Sequence, residues 1–316
     1  MLMRLRTIAL SLLLALTAPA MTTAQSPAPA SHDALVAQNA VEVVLLEAGA
    51  EPRSEIRYDL AAMTAQNMRM DMLMNMAMSN PMMGSQAMTF PLMRMNMAMT
   101  EMTMNEAGHL RMAFAFRSAE VMPREGADPA MVAGMQGALA GMENVTGFSV
   151  IDTRGNVIEA GFDASNAPPA AQQQLESMRD SLEQMVAPMP VEAVGIGARW
   201  QITTNVVSNG ASIQQVATYR LIERTENAIR LEVSMTQTAA DQQINDPNIP
   251  PPMTVWIDSY NASGGGTATI SLNSPVPEST ATIESAMSMS LDDGSGTRAP
   301  YMTMEMDMSI TISAGE

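Results

Sequence analysis

The sequence predicts a mainly β protein: a large, curved, half-barrel-like antiparallel sheet with one or two covering helices and an internal duplication. Three observations predict it. Apolar and polar residues alternate over most of the chain. Methionine recurs at every second position in several runs, which places each run on one face of a strand. Only two stretches carry helical spacing instead.

The elements follow in order. Arg4 and Arg6 precede an apolar run, Thr7 to Leu16, that is too short to span a bilayer. Residues 1–24 therefore read as a signal peptide cleaved after Ala24, with Ala20 the competing site. Residues 25–40 form a Pro/Ala/Ser-rich tether. Residues 41–316 form a single β-rich domain, with strands expected over 41–47, 54–60, 67–78, 87–104, 110–121, 148–152 and 157–162. Further strands are expected over 200–207, 212–223, 228–238, 253–260, 267–272, 280–291 and 301–312. Asp128-Pro129 opens one helix, with Met131, Val132, Met135, Leu139 and Met142 on one face. Pro168-Pro169 opens a second over 168–187, with Leu175, Met178, Leu182, Met185 and Val186 on its apolar face. Gly264-Gly265-Gly266 reads as a bend between two strands.

Two related halves, 41–165 and 190–316, would be joined by the second helix. Gly108-His109-Leu110-Arg111-Met112 resembles Asn227-Ala228-Ile229-Arg230-Leu231. An offset of 119 carries Arg111 to Arg230 and Gly147 to Gly266. Ile56-Arg57-Tyr58 resembles Ala198-Arg199-Trp200 at an offset of 142.

Composition narrows the function. The 316 residues hold 16 basic side chains, all arginine, against 33 acidic ones, for a net charge of −17. That balance excludes a nucleic-acid partner, because phosphate binding needs a basic face. There is no cysteine and there are only two histidines, so no thiolate site, no HExxH helix and no resident metal or cofactor is expected. No nucleophile elbow or P-loop is present, and a non-enzymatic protein is expected. The signal peptide places it outside the cytoplasm, in the periplasm or extracellular. No later run approaches 18 apolar residues, so an integral membrane protein is not expected. Protein partners are left open.

The methionines are the candidate site. Met68, Met70, Met72, Met74, Met76 and Met78 form one run, and Met93, Met95, Met97 and Met99 another. Met302, Met304, Met306 and Met308 form a third. The three-residue step from Met99 to Met102 changes parity and predicts a bulge. Unbranched thioethers adapt to irregular apolar partners. The ligand-binding residues expected are Met68, Met70, Met72, Met74, Met76, Met93, Met95, Met97, Met99, Met304 and Met306, holding a lipid or acyl chain. Two alternatives stand beside this: Cu(I) binding or copper tolerance through thioether ligands, and a structural secreted protein with a closed Met core.

Pro190-Val191-Glu192-Ala193-Val194-Gly195-Ile196-Gly197-Ala198-Arg199-Trp200, with the Met strands and Gly264 to Gly266, resembles an uncharacterised family of secreted Met-rich bacterial β proteins. Their general look is similar to the lipoprotein-carrier half-barrels of the bacterial envelope. The resemblance implies a curved antiparallel sheet that holds acyl chains under helices.

Overall fold

The computed structural model describes residues 42–82, 84–139, 145–163, 188–208, 211–244 and 252–315. The expected signal peptide, the tether and the 168–187 helix lie outside the described residues. The strands are β1 (Glu42–Glu47), β2 (Asn67–Asn80), β3 (Gly84–Thr89), β4 (Leu92–Met104), β5 (Leu110–Met122), β6 (Thr146–Ile151) and β7 (Val157–Asp163). They continue as β8 (Arg199–Ser208), β9 (Ala211–Arg224), β10 (Ala228–Ala239), β11 (Gln242–Ile244), β12 (Thr254–Ser271), β13 (Glu278–Asp292) and β14 (Arg298–Ala314). The described helix is α1 (Pro129–Leu139).

All fourteen strands belong to one antiparallel sheet, in the order β1-β8-β9-β10-β12-β13-β14-β2-β4-β5-β6-β7, with β11 on β12 and β3 on β2. The sheet is open, with β1 and β7 at its ends, and does not close into a barrel. Two meanders meet where β14 pairs with β2, joining Met304 to Met78 across 226 residues of chain. Within them one register occurs twice. Arg111 pairs with Val150 and Phe114 with Gly147. Advancing each residue by 119 gives Arg230 with Thr269 and Val233 with Gly266. The next pair behaves alike: Gly147 with Phe162 becomes Gly266 with Ala281. The same does not hold at an offset of 142, because Arg199 opens β8 while Arg57 lies in no strand.

Three expected elements are corrected. Residues 54–60 form a strap rather than a strand, with a single bridge from Ser54 to Val194. Their backbone groups are used across strand ends: the Tyr58 N–H donates to the Thr153 carbonyl at 2.7 Å and the Asp59 N–H to that of Leu272 at 2.8 Å. Arg224 donates to the carbonyls of Ser54 and Glu55. The strap's Ile56 and Leu60 are buried, as is Met63 just beyond it. The single strand expected over 87–104 is divided into β3 and β4 at Phe90-Pro91, because proline has no N–H to give a ladder. The two pieces share β2, with β3 on Asn75 to Asn80 and β4 on Asn67 to Met72. Finally, Gly264 to Gly266 lie inside the continuous strand β12. A Cβ on Gly266 would collide with the Thr280 carbonyl oxygen of β13, so glycine here permits backbone approach. The expected parity change after Met99 is present as a bulge between Met99 and Glu101.

Candidate functional site

Strand parity decides which methionines meet. Met68, Met70 and Met72 of β2 stand opposite Met97, Met95 and Met93 of β4. Further along, Met74, Met76 and Met78 stand opposite Met308, Met306 and Met304 of β14. On its other side β14 sets Met304 and Met302 against Met287 and Met289 of β13. Cross-strand partners share a face, so these runs form one thioether layer across β13, β14, β2 and β4. On β4 the layer gives way to aromatics, with Met97 and Met99 facing Phe116 and Phe114 of β5.

Of the expected site residues, Met68, Met74, Met76, Met93, Met95, Met97, Met304 and Met306 are buried. Met70, Met72 and Met99 are partly buried and pack on the same cluster. Leu73, the apolar exception between the methionines of β2, is 36% exposed. The layer is thus covered rather than open to solvent. Part of the cover is α1, whose Met135 and Leu139 are buried in the cluster with Met131 and Val132 beside them. Met142, expected on that helix, lies outside the described residues. Phe162 of β7 completes an aromatic margin, 5.7 Å edge-on from Phe114 and 6.4 Å stacked from Phe116.

α1 is a weak helix by construction. Gly134 and Gly137 have open space where a Cβ would sit, and each costs about 1 kcal/mol relative to alanine. No acidic residue lies within its first turn and no basic residue within its last, although Asp128 just ahead of it accepts from the Ala130 N–H at 2.8 Å.

Charge is kept to the other face. Arg94 donates to both carboxylate oxygens of Asp71, at 2.7 and 2.6 Å. The Arg94 hydrogen bond holds the Asp71 carboxyl below the usual carboxylate range. Among the described residues no cluster of His, Asp or Glu is arranged to hold a metal ion. His109 sits in the turn before β5, seven residues of β4 from Met97, or on the order of 20 Å.

Two polar groupings escaped sequence reasoning. A cleft of about 520 Å³ opens where bulges in β12 and β14 flank Ser290, lined by Ser79, Asp258, Ser288 and Arg298 among others. There Arg298 lies 3.5 Å over the Trp256 ring and 2.7 Å from Asp241, and Ser290 donates to Asp258 at 2.6 Å. The second grouping is a row of Gln215, Gln237 and Tyr260 on the buried face, where alternation would place apolar residues. That break in the pattern was the available signal.

Residues 171–276 match the model of a family of unknown function (DUF6263). Pro190 to Trp200, the stretch that carries the resemblance, lies inside that range. Locally it is tightly built: Val194, Ala198 and Trp200 are fully buried, and a Cβ on Gly195 would collide with the Ala50 carbonyl oxygen. No curated protein matches the chain. Among solved structures, the outer membrane protease OmpT from Escherichia coli is similar over 78% of this chain and 95% of its own, at 8% identity and a TM-score of 0.21. No helix among the described residues is long and apolar enough to cross a membrane.

Proposed function

We propose that this is an exported, non-enzymatic envelope protein that holds a lipid or acyl chain between the thioether layer and its cover. The observation that carries the reading is the layer itself: four adjacent strands whose paired positions are filled mostly with methionine, with branched residues where Ile283, Ile310 and Ile312 face Met308, Met72 and Met70. Branched side chains fix one packing, whereas unbranched thioethers repack around a partner of irregular shape. The cover supports the same reading. α1 reaches the layer through Met131, Val132, Met135 and Leu139 and carries two glycines where a Cβ would touch nothing, so the contact a ligand must replace on displacing it is that of four side chains. Burial of the ligand's apolar area then replaces burial against the helix.

The test is native mass spectrometry of protein taken from its own envelope, followed by displacement of a fluorescent acyl probe. A co-purified lipid and saturable displacement are expected. Replacing Met70, Met74, Met95 and Met97 together by leucine keeps apolar area and removes sulfur, so acyl binding should persist. Copper as the species bound to the wild type, with Cu(I) binding lost in the leucine variant, points to thioether coordination instead. A wild-type protein that takes up neither acyl probe nor copper has a closed core, and the proposal fails.

A further inference from the structure

The buried face is not uniformly apolar. Its thioether layer continues in register onto a short polar row. Met304 pairs with Met287, and Met287 with Tyr260 of β12. The Tyr260 hydroxyl donates to Gln237 Oε1 of β10 at 2.7 Å. Gln237 Nε2 donates in turn to Gln215 Oε1 of β9 at 2.6 Å. Gln215 pairs directly with Thr204 of β8, whose Oγ1 is buried and has no hydrogen-bond partner. The row is polarised: every link runs with its donor on the Tyr260 side, so it ends at β8 in the Gln215 amide N–H groups and the Thr204 hydroxyl. None of the described residues accepts from Gln215 Nε2. Among the residues whose side chains are described, the same-face neighbours two along the strands include Ile202, Ile213, Ala217, Met235, Ala239 and Ala262, all uncharged.

A buried hydroxyl without a partner is costly, and an apolar pocket with a few convergent donors is the usual design for orienting a ligand. We propose that Thr204 and Gln215 receive the polar end of the bound chain, and that this end is a neutral carbonyl oxygen, as in an ester- or amide-linked acyl lipid. A free carboxylate fits poorly. It would bring a charge to a face where these neighbours offer no counter-ion, and the desolvation penalty would outweigh two neutral donors. This assignment rests on the acyl-binding reading above and adds the ligand's chemical class to it.

The experiment measures displacement of the acyl probe by hexadecane, methyl hexadecanoate and ionised hexadecanoate from the full-length exported protein. The ester should bind tightest, about fivefold over the alkane for one net hydrogen bond, with the carboxylate weakest. In T204V/Q215L the ester should fall to the alkane's affinity while the alkane is unchanged. Y260F, which breaks the row at its other end and leaves Thr204 in place, provides a second variant should the first fail to fold. It should weaken ester binding by a smaller factor. T204V alone should raise the Tm of the empty protein, because it removes the unpartnered hydroxyl without changing shape, while weakening the ester. Ester affinity unaltered by these variants, or a carboxylate that binds more tightly than the ester, overturns the assignment and leaves acyl binding intact. If none of the three ligands displaces the probe, the acyl-binding reading falls with it.

Discussion

Met306 stands directly across the β14–β2 ladder from Met76, and both side chains are 4% exposed. The pair lies within the junction between the two meanders. Met76→Ala should destabilise the protein by about 2–5 kcal/mol and Met76→Leu by less than about 1.5 kcal/mol, read from denaturant unfolding. A cycle with Met306→Ala should show coupling of roughly 0.5–3 kcal/mol, as for side chains in contact. An alanine effect under about 0.5 kcal/mol would mean the layer is not packed at this point.

The Asp71–Arg94 pair predicts an acid-dependent loss of stability. The Asp71 pKa is lowered from 3.8 in the folded protein, first by its hydrogen bond from Arg94 and further by the charges of Arg94 and Arg69. A carboxyl held low in the native state stabilises above its unfolded pKa, and that stabilisation is lost as pH falls through the folded value. Asp71→Asn should therefore destabilise at neutral pH and approach wild type below pH 3.8. Equal effects at both pH values would show that the pair acts through packing alone.

Alkaline unfolding should follow from two buried tyrosines. Burial raises Tyr58 and Tyr219 from 10.0 to about 12. Their neutral forms are favoured by folding, so the contribution is complete below pH 10.0 and fades as pH rises toward about 12. Ultraviolet titration should show phenolates appearing late and together with loss of structure. Tyr58→Phe should reduce the amplitude of that late step.

Two glycines predict opposite signs. Gly266→Ala drives a Cβ into the Thr280 carbonyl and should cost about 1–3 kcal/mol by overpacking between adjacent strands. Gly137→Ala meets nothing and should stiffen α1, raising stability by up to about 1 kcal/mol. The stiffer cover should also slow acyl exchange in stopped-flow displacement. A neutral Gly266→Ala would show that β13 can yield at this place.

The proposed export predicts a mature N-terminus near Gln25, read by N-terminal sequencing of the protein from its native compartment. Recovery of protein starting at Met1 from the cytoplasm would refute it.

Most strands were legible because period-two alternation survives wherever one face of a sheet is buried. The methionine runs made this unusually clear on β2, β4 and β14, and also located the bulge after Met99. What alternation does not encode is the partner of each strand. Nothing in the local pattern sets β14 beside β2, since that pairing is decided by which ladders complete the sheet. Pro91 was visible but outweighed by the methionines around it. The 54–60 segment alternates like a strand, yet its carbonyls answer to Arg224 rather than to a neighbouring ladder. The polar row was legible only in part: Gln215 and Gln237 break the apolar alternation of β9 and β10, but only register shows that they stand face to face.

The position of β14 also bears on how the chain is made. Among the described strands it comes last in chain order, yet it lies in the interior of the sheet, between β13 and β2. Until residues 298–314 emerge, β2 has an unpaired ladder and the Met side chains destined for β14 have no counterpart. A nascent chain therefore carries a sticky, half-finished edge through synthesis, which is the situation holdase chaperones relieve. The join closes in a single late event spanning 226 residues between Met78 and Met304, and long-range pairing of this kind is slow. A chain shortened before Arg298 should consequently leave two separate meanders that aggregate through β2 and β13, a defect of biogenesis with no counterpart in the finished molecule.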